Sequence, residues 1–77
     1  MCQGYDDYKN FRKMLSQNIR AIRKQKNFTQ ETFAFLLNTS PKYIGCIERC
    51  EKNPSLPFLF RMAKVLDTDI EKFFKFN

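Results

Sequence analysis

The sequence predicts one compact all-α domain of five helices joined by short turns. Three observations lead there. Apolar residues recur at steps of three and four along most of the chain, the period of a helix with one buried face. Serine or threonine stands just ahead of several of those runs, and Pro41 and Pro57 fall in first turns, where a missing N–H costs nothing. Only two glycines and three prolines occur among 77 residues, which suits helices with short connections. Nine phenylalanines and a 43% hydrophobic fraction supply the large side chains a chain of this size needs to close a core. The expected organisation is a single domain over residues 1–77, with 1–10 as an N-terminal extension.

The first helix is expected over about residues 7–26. Tyr8, Phe11, Leu15, Ile19 and Ile22 share one face, Asp6 or Asp7 caps the start, and Lys24 and Lys26 complement the dipole at the end. Asn27 tolerates the left-handed conformation that closes many helices. Thr29 caps the second helix, with Thr32 in place of the glutamate of a capping box. Phe28 ahead of that cap is placed to pack on Phe33, and Phe33, Ala34 and Leu37 face the core before Asn38 ends the helix. Ser40 and Pro41 open the third helix, which turns Ile44 and Ile47 inward and ends near Arg49 or Cys50. Glu51–Pro54 is a polar loop. Ser55 caps a fourth helix with Leu59, Met62, Ala63 and Leu66 inside. After the turn Asp67-Thr68-Asp69, with a second cap, Ile70, Phe73 and Phe74 form a final short helix.

Charge narrows the function. Fourteen Lys and Arg against eight Asp and Glu give +6. Lys9, Arg12, Lys13, Arg20, Arg23, Lys24 and Lys26 lie in one stretch without an acidic residue, and a basic face on a folded domain favours a polyanion. No stretch approaches a membrane span and the N-terminus lacks an apolar signal core, so a cytoplasmic protein is expected. Cys2, Cys46 and Cys50 have no zinc-like spacing and there is no histidine, so free thiols and neither metal nor cofactor are expected. The i, i+4 pair Cys46/Cys50 has no assured low-pKa setting for a redox or metal switch. Without histidine, a glycine-rich phosphate loop, or a serine or cysteine beside a base, an enzyme is not expected.

Residues 29–48 carry the main signal. Two short helices meet through the tight turn Asn38-Thr39-Ser40, with Ala34 where the axes cross. A close crossing requires a small residue there, and these are the steric demands of a helix-turn-helix. From Leu15 to Phe74 the chain resembles the Cro/cI-type, XRE-like, lambda-repressor-like DNA-binding family. The stretches that carry the resemblance are IRAIRKQKNFTQETFAFLL, SPKYIGCIERCEKNPSL and MAKVLDTDIEKFF. The run Tyr43-Ile44-x-x-Ile47-Glu48-Arg49, followed by Asn53-Pro54-Ser55-Leu56, is its most specific part. Asn27, Asn38 and Cys50 stand where the family usually has glycine. Phe35 and Leu36 occupy positions that are usually polar.

The resemblance implies a sequence-specific double-stranded DNA-binding transcriptional regulator with the third helix in the major groove. The DNA-contacting positions it implies are Gln30, Ser40, Pro41, Lys42, Tyr43, Cys46 and Arg49. Gln30 would hold a phosphate. Lys42 would reach guanine O6 or N7, or else the backbone. Tyr43 would bond a phosphate, touch a thymine methyl, or simply pack. Gly45 would allow close approach, and Cys46 an apolar contact. Arg23 and Glu48 match a structural ion pair. The surplus of phenylalanines points to a homodimer through Phe73, Phe74 and Phe76 of the C-terminal end, together with part of the fourth helix, and so to an inverted-repeat operator; otherwise Tyr5, Tyr8 and Phe11 of the extension cover those rings. With the chain ending at Asn77, a stand-alone repressor or activator is expected, with no small-molecule ligand evident. Phage, restriction–modification, plasmid and transposon settings all remain open. The rival reading is an antitoxin-like protein-interaction module.

Overall fold

The computed structural model describes the backbone of residues 3–75 and the side chains of residues 7–75; Cys2 and Phe76 lie outside the described residues. Four α-helices, α1 (Gln3–Gln25), α2 (Gln30–Leu36), α3 (Pro41–Glu48) and α4 (Leu56–Val65), are followed by a 3-10 helix (Ile70–Phe74). The fifth element is therefore a 3-10 helix rather than the expected α-helix. Its five residues are too few for a sustained α-ladder, and the residue ahead of it, Asp69, makes no side-chain cap bond. The first helix also starts four residues earlier than its apolar face suggests. Asp6 and Asp7 consequently lie inside it rather than capping it, and residues 3–10 continue α1 instead of preceding it.

Three of the N-caps read from the sequence form as expected. Thr29, Ser40 and Ser55 each accept a bond from the amide three residues on, at 3.0, 3.1 and 3.1 Å. All four α-helices end alike. Asn27, Asn38, Cys50 and Asp67 take positive φ angles of 65°, 60°, 64° and 53°. The amide of each, and that of the residue after it, turn back onto the last carbonyls of the helix, as in Asn27 N→Lys24 O at 3.0 Å and Phe28 N→Arg23 O at 3.1 Å. The asparagines serve in place of glycine, as the sequence implies; Asp67 does the same without having been singled out.

The core draws on every element. Leu15 and Ile19 of α1, Phe33, Ala34 and Leu37 around α2, Ile44 and Ile47 of α3, Leu59, Met62, Ala63 and Leu66 around α4, and Phe73 are all buried. Ala34 has no exposed surface, which is what lets α2 and α3 cross closely. Phe28 stacks obliquely on Phe33 with ring centroids 6.3 Å apart, stapling the entry to α2. Arg61 caps the exit from α2 by donating to the Leu37 carbonyl at 2.6 Å. Asn18 holds the C-terminal helix to α1 by donating to the carbonyls of Phe73 at 2.9 Å and Lys75 at 3.1 Å.

Phe73 corrects one expectation. It is 0% exposed and fills the domain's own core, so it cannot also present its ring to a partner. Phe74 is half-buried and stacks on Phe11, centroids 5.9 Å apart. Phe11 of α1 thus covers part of the apolar surplus, as the second reading of those rings anticipates; the side chain of Tyr5, named with it, lies outside those described.

A candidate nucleic-acid interface around α3

One polar knot sets the orientation of α3. The Arg23 guanidinium meets the Glu48 carboxylate through two bonds, Nε to Oε2 at 2.6 Å and Nη2 to Oε1 at 3.1 Å. Its Nη1 donates to the Phe28 carbonyl at 2.6 Å, and Gln30 Nε2 donates to Glu48 Oε1 at 3.0 Å. Both charged side chains are nearly inaccessible, 7% and 2% exposed. Among the described residues no buried side-chain nitrogen or oxygen lacks a partner. The end of α1, the turn after it, the start of α2 and the end of α3 are therefore one unit.

With Ile44, Ile47 and Glu48 committed inward, the opposite side of α3 is left to solvent. Lys42, Cys46 and Arg49 follow at steps of four and three, so they form one stripe along it. Ser40, Pro41, Lys42 and Arg49 are exposed; Cys46 is half-buried. Ser40 and Pro41 serve mainly to start the helix, the first as its cap and the second at its first position. Tyr43 is half-buried and lies edge-on against Phe58, centroids 5.6 Å apart, so its ring packs against the core rather than joining the stripe. Gln30, expected to hold a phosphate, has one amide N–H engaged by Glu48, leaving its second N–H and its oxygen.

Gly45 does not lie bare. The Arg49 side chain folds over it, and a Cβ built there would stand 2.9 Å from Arg49 Nη1. Arg49 is itself held by Glu51, through Nε to Oε2 at 2.9 Å and Nη2 to Oε1 at 3.3 Å. Those hydrogen bonds first, and the partner's charge second, hold the Glu51 carboxyl below its ordinary range and raise the guanidinium above its own. This pair is invisible to helical spacing, because Glu51 lies past the end of α3. The glycine-like position of Cys50 was the available signal, since a left-handed residue there folds the next one back.

The α1 flank is basic. Lys9, Lys13, Arg20 and Lys24, at steps of four, seven and four, are exposed along one side of the helix. They line two hollows beside α3: one with Arg12, Arg49 and Cys50, the other with Gln17 and Glu48. Arg12 closes the first by donating to Asn53 Oδ1 at 2.6 Å and to the Cys50 carbonyl at 3.1 Å. Asn53 in turn donates to the Tyr8 hydroxyl at 3.4 Å. The early turns of α1 thereby brace the loop that follows α3, a contact the sequence did not reveal.

A family model described as helix-turn-helix matches residues 19–73, from the last two turns of α1 to the 3-10 helix. The chain belongs to the helix-turn-helix family of Cro/cI-type DNA-binding regulators. Among helix-turn-helix relatives, the control protein C.SmaI of Serratia marcescens is 34% identical over 65 residues, 84% of this chain and 77% of that protein. The restriction-modification controller protein C.AhdI of Aeromonas hydrophila superposes with a TM-score of 0.76 at 34% identity, over 80% of this chain and 94% of that one. Hydroxypropylphosphonic acid epoxidase from S. wedmorenis matches with a TM-score of 0.77 at 25% identity, over 83% of this chain but 34% of its own. A helix-turn-helix unit thus also occurs inside an enzyme, so the fold alone assigns no activity and the residues must. Among the described residues there is no group of three or more potential metal ligands, and no helix is long and apolar enough to cross a membrane.

Proposed function

We propose that this chain is a sequence-specific transcriptional regulator that lays α3 in the major groove and acts as a homodimer on an inverted-repeat operator. One observation carries the reading: α3 is fixed by its inner face and leaves Lys42, Cys46 and Arg49 outward, with the basic side of α1 alongside. A major groove admits one α-helix, and base edges there offer acceptors to lysine and arginine. Lys9, Lys13, Arg20 and Lys24 supply the phosphate contacts that give affinity without reading sequence. Gln30 adds a phosphate contact through its remaining amide donor.

The dimer reading gives up Phe73 and keeps its other part, α4. Phe60 is 52% exposed and borders a hollow lined by Ala63, Lys64, Ile70 and Glu71. An apolar ring flanked by the basic Lys64 and the acidic Asp69 and Glu71 is self-complementary about a two-fold axis. The names of the two controller proteins support a regulatory role.

The test is enrichment of bound duplexes from a random pool at two salt concentrations, with light scattering of the free protein. The reading expects an inverted repeat, affinity that falls with salt, and a dimer that Phe60→Ser disperses. Salt-insensitive binding without any preferred sequence would refute it. An antitoxin-like protein-binding role is favoured by one feature, the 81% exposed Phe35 at the end of α2. Loss of DNA binding in Lys42→Ala but not in Phe35→Ser would decide against that role.

A further inference from the structure

The C-terminal end of α3 carries an assembled side-chain unit. The left-handed Cys50, φ 64°, reverses the chain so that the Glu51 amide donates back to the Cys46 carbonyl at 2.8 Å. That reversal brings the Glu51 carboxylate beside Arg49, where it takes Nε at 2.9 Å and Nη2 at 3.3 Å. Gly45 forms the floor: a methyl there would stand 2.9 Å from Nη1 and push the guanidinium off the helix. The Cys46 thiol, with Sγ 3.8 Å from Nη2, is the remaining neighbour and a weak acceptor that a base edge readily replaces.

The geometry of the pairing decides what is left over. A guanidinium has five N–H donors. Side-on pairing uses the one on Nε and one on Nη2. Both on Nη1 remain, and the second on Nη2 meets only the weak Cys46 acceptor; one N–H from each of these nitrogens makes the end-on fork that matches O6 and N7 of guanine once the thiol is displaced. The unit is exposed, and exposed ion pairs contribute little to stability, so the fold has small need of it. Its place at the end of the outward stripe is where a reading side chain has to be held still, since fixing a long arginine in advance lowers the ordering cost of the contact.

We propose that Arg49 reads a guanine in each half-site and that Glu51 is its positioning residue, with Gly45 as the floor on which the pair rests. This rests on α3 being the groove-docking helix.

The experiment compares the full-length wild type with Glu51→Gln, Glu51→Asp and Arg49→Ala. Each is selected against random duplexes, then titrated by fluorescence anisotropy on the best duplex and its single-base variants. The wild type should prefer guanine at one position per half-site, and Arg49→Ala should lose that preference. Glu51→Gln should lose about tenfold or more of the discrimination at that same position, roughly the worth of one bidentate contact, and leave the others intact. Glu51→Asp should recover part of it. The inference is overturned if Glu51→Gln keeps the full preference, or if it tightens binding to all duplexes alike, since Glu51 would then merely offset charge. Preferences that depend on Lys42 but not on Arg49 also overturn it, and leave the regulator reading standing. A wild type that enriches no sequence overturns both.

Discussion

Two arginine–glutamate pairs flank α3, one on its inner side and one on its outer side, and they differ chiefly in access to water. Arg23 and Glu48 are 7% and 2% exposed, while Arg49 and Glu51 are 58% and 53% exposed. Both pairs use Nε and Nη2 side-on against a carboxylate. The inner pair is tied into further bonds from Gln30 and to Phe28, so each charge depends on the other remaining. The outer pair has water as an alternative partner for every group. Identical chemistry therefore acts as a structural joint on one face and as an exchangeable contact on the other. Burial sets the difference, through the cost of leaving a charge unpaired away from solvent.

The largest effect should come from breaking the inner pair. Glu48→Ala strands the buried Arg23 guanidinium and should cost about 3–5 kcal/mol in urea unfolding. Glu51→Ala should leave the melting temperature where it was, and equal losses in the two variants would erase the distinction. On the outer side, removing the exposed Lys9 and Lys13 together should lower the slope of log affinity against log salt by about 2, without altering which sequences are selected. A change in preferred sequence instead would mean that this part of α1 reads bases.

A smaller effect tests the turn that joins the two sides. Cys50→Gly relieves a left-handed non-glycine residue and should stabilise the fold by about 0.5–1 kcal/mol, measured by thermal unfolding, while keeping Glu51 beside Arg49. A loss of stability there would show that the half-buried Cys50 side chain matters more than its backbone angle. The smallest effect is electrostatic. The Glu51 carboxyl lies below its ordinary value, so its pairing is complete above the ordinary glutamate range and disappears as the pH falls through the lowered value. Carboxyl titration by NMR should give that low midpoint in the wild type and the ordinary one in Arg49→Ala. An unchanged midpoint would mean that the pair does not persist in solution.

Much of the local structure was legible in advance because its causes are local. A hydroxyl at position 29, 40 or 55 finds the amide three residues on without help from the rest of the chain. Asparagine at 27 and 38 accepts the angles that end a helix. The ion pair between Arg23 and Glu48 also forms, between the two residues that the family resemblance matched. Gln30 and Tyr43 were harder to place. Their side chains have two possible sets of partners, and the choice depends on where Glu48 and Phe58 arrive.

What the sequence determined by itself was the place of the four α-helices, the hydroxyl caps of α2, α3 and α4, and the inward stripes, since periodicity and capping act over three or four residues. Tertiary structure alone decided that Phe73 belongs to the core, that Phe11 covers Phe74, that Arg12 braces the loop after α3, and that Glu51 turns back onto Arg49. Each of these depends on a contact between segments, or on a chain reversal, whose direction is set only when the whole core closes. Residue spacing carries no record of that event.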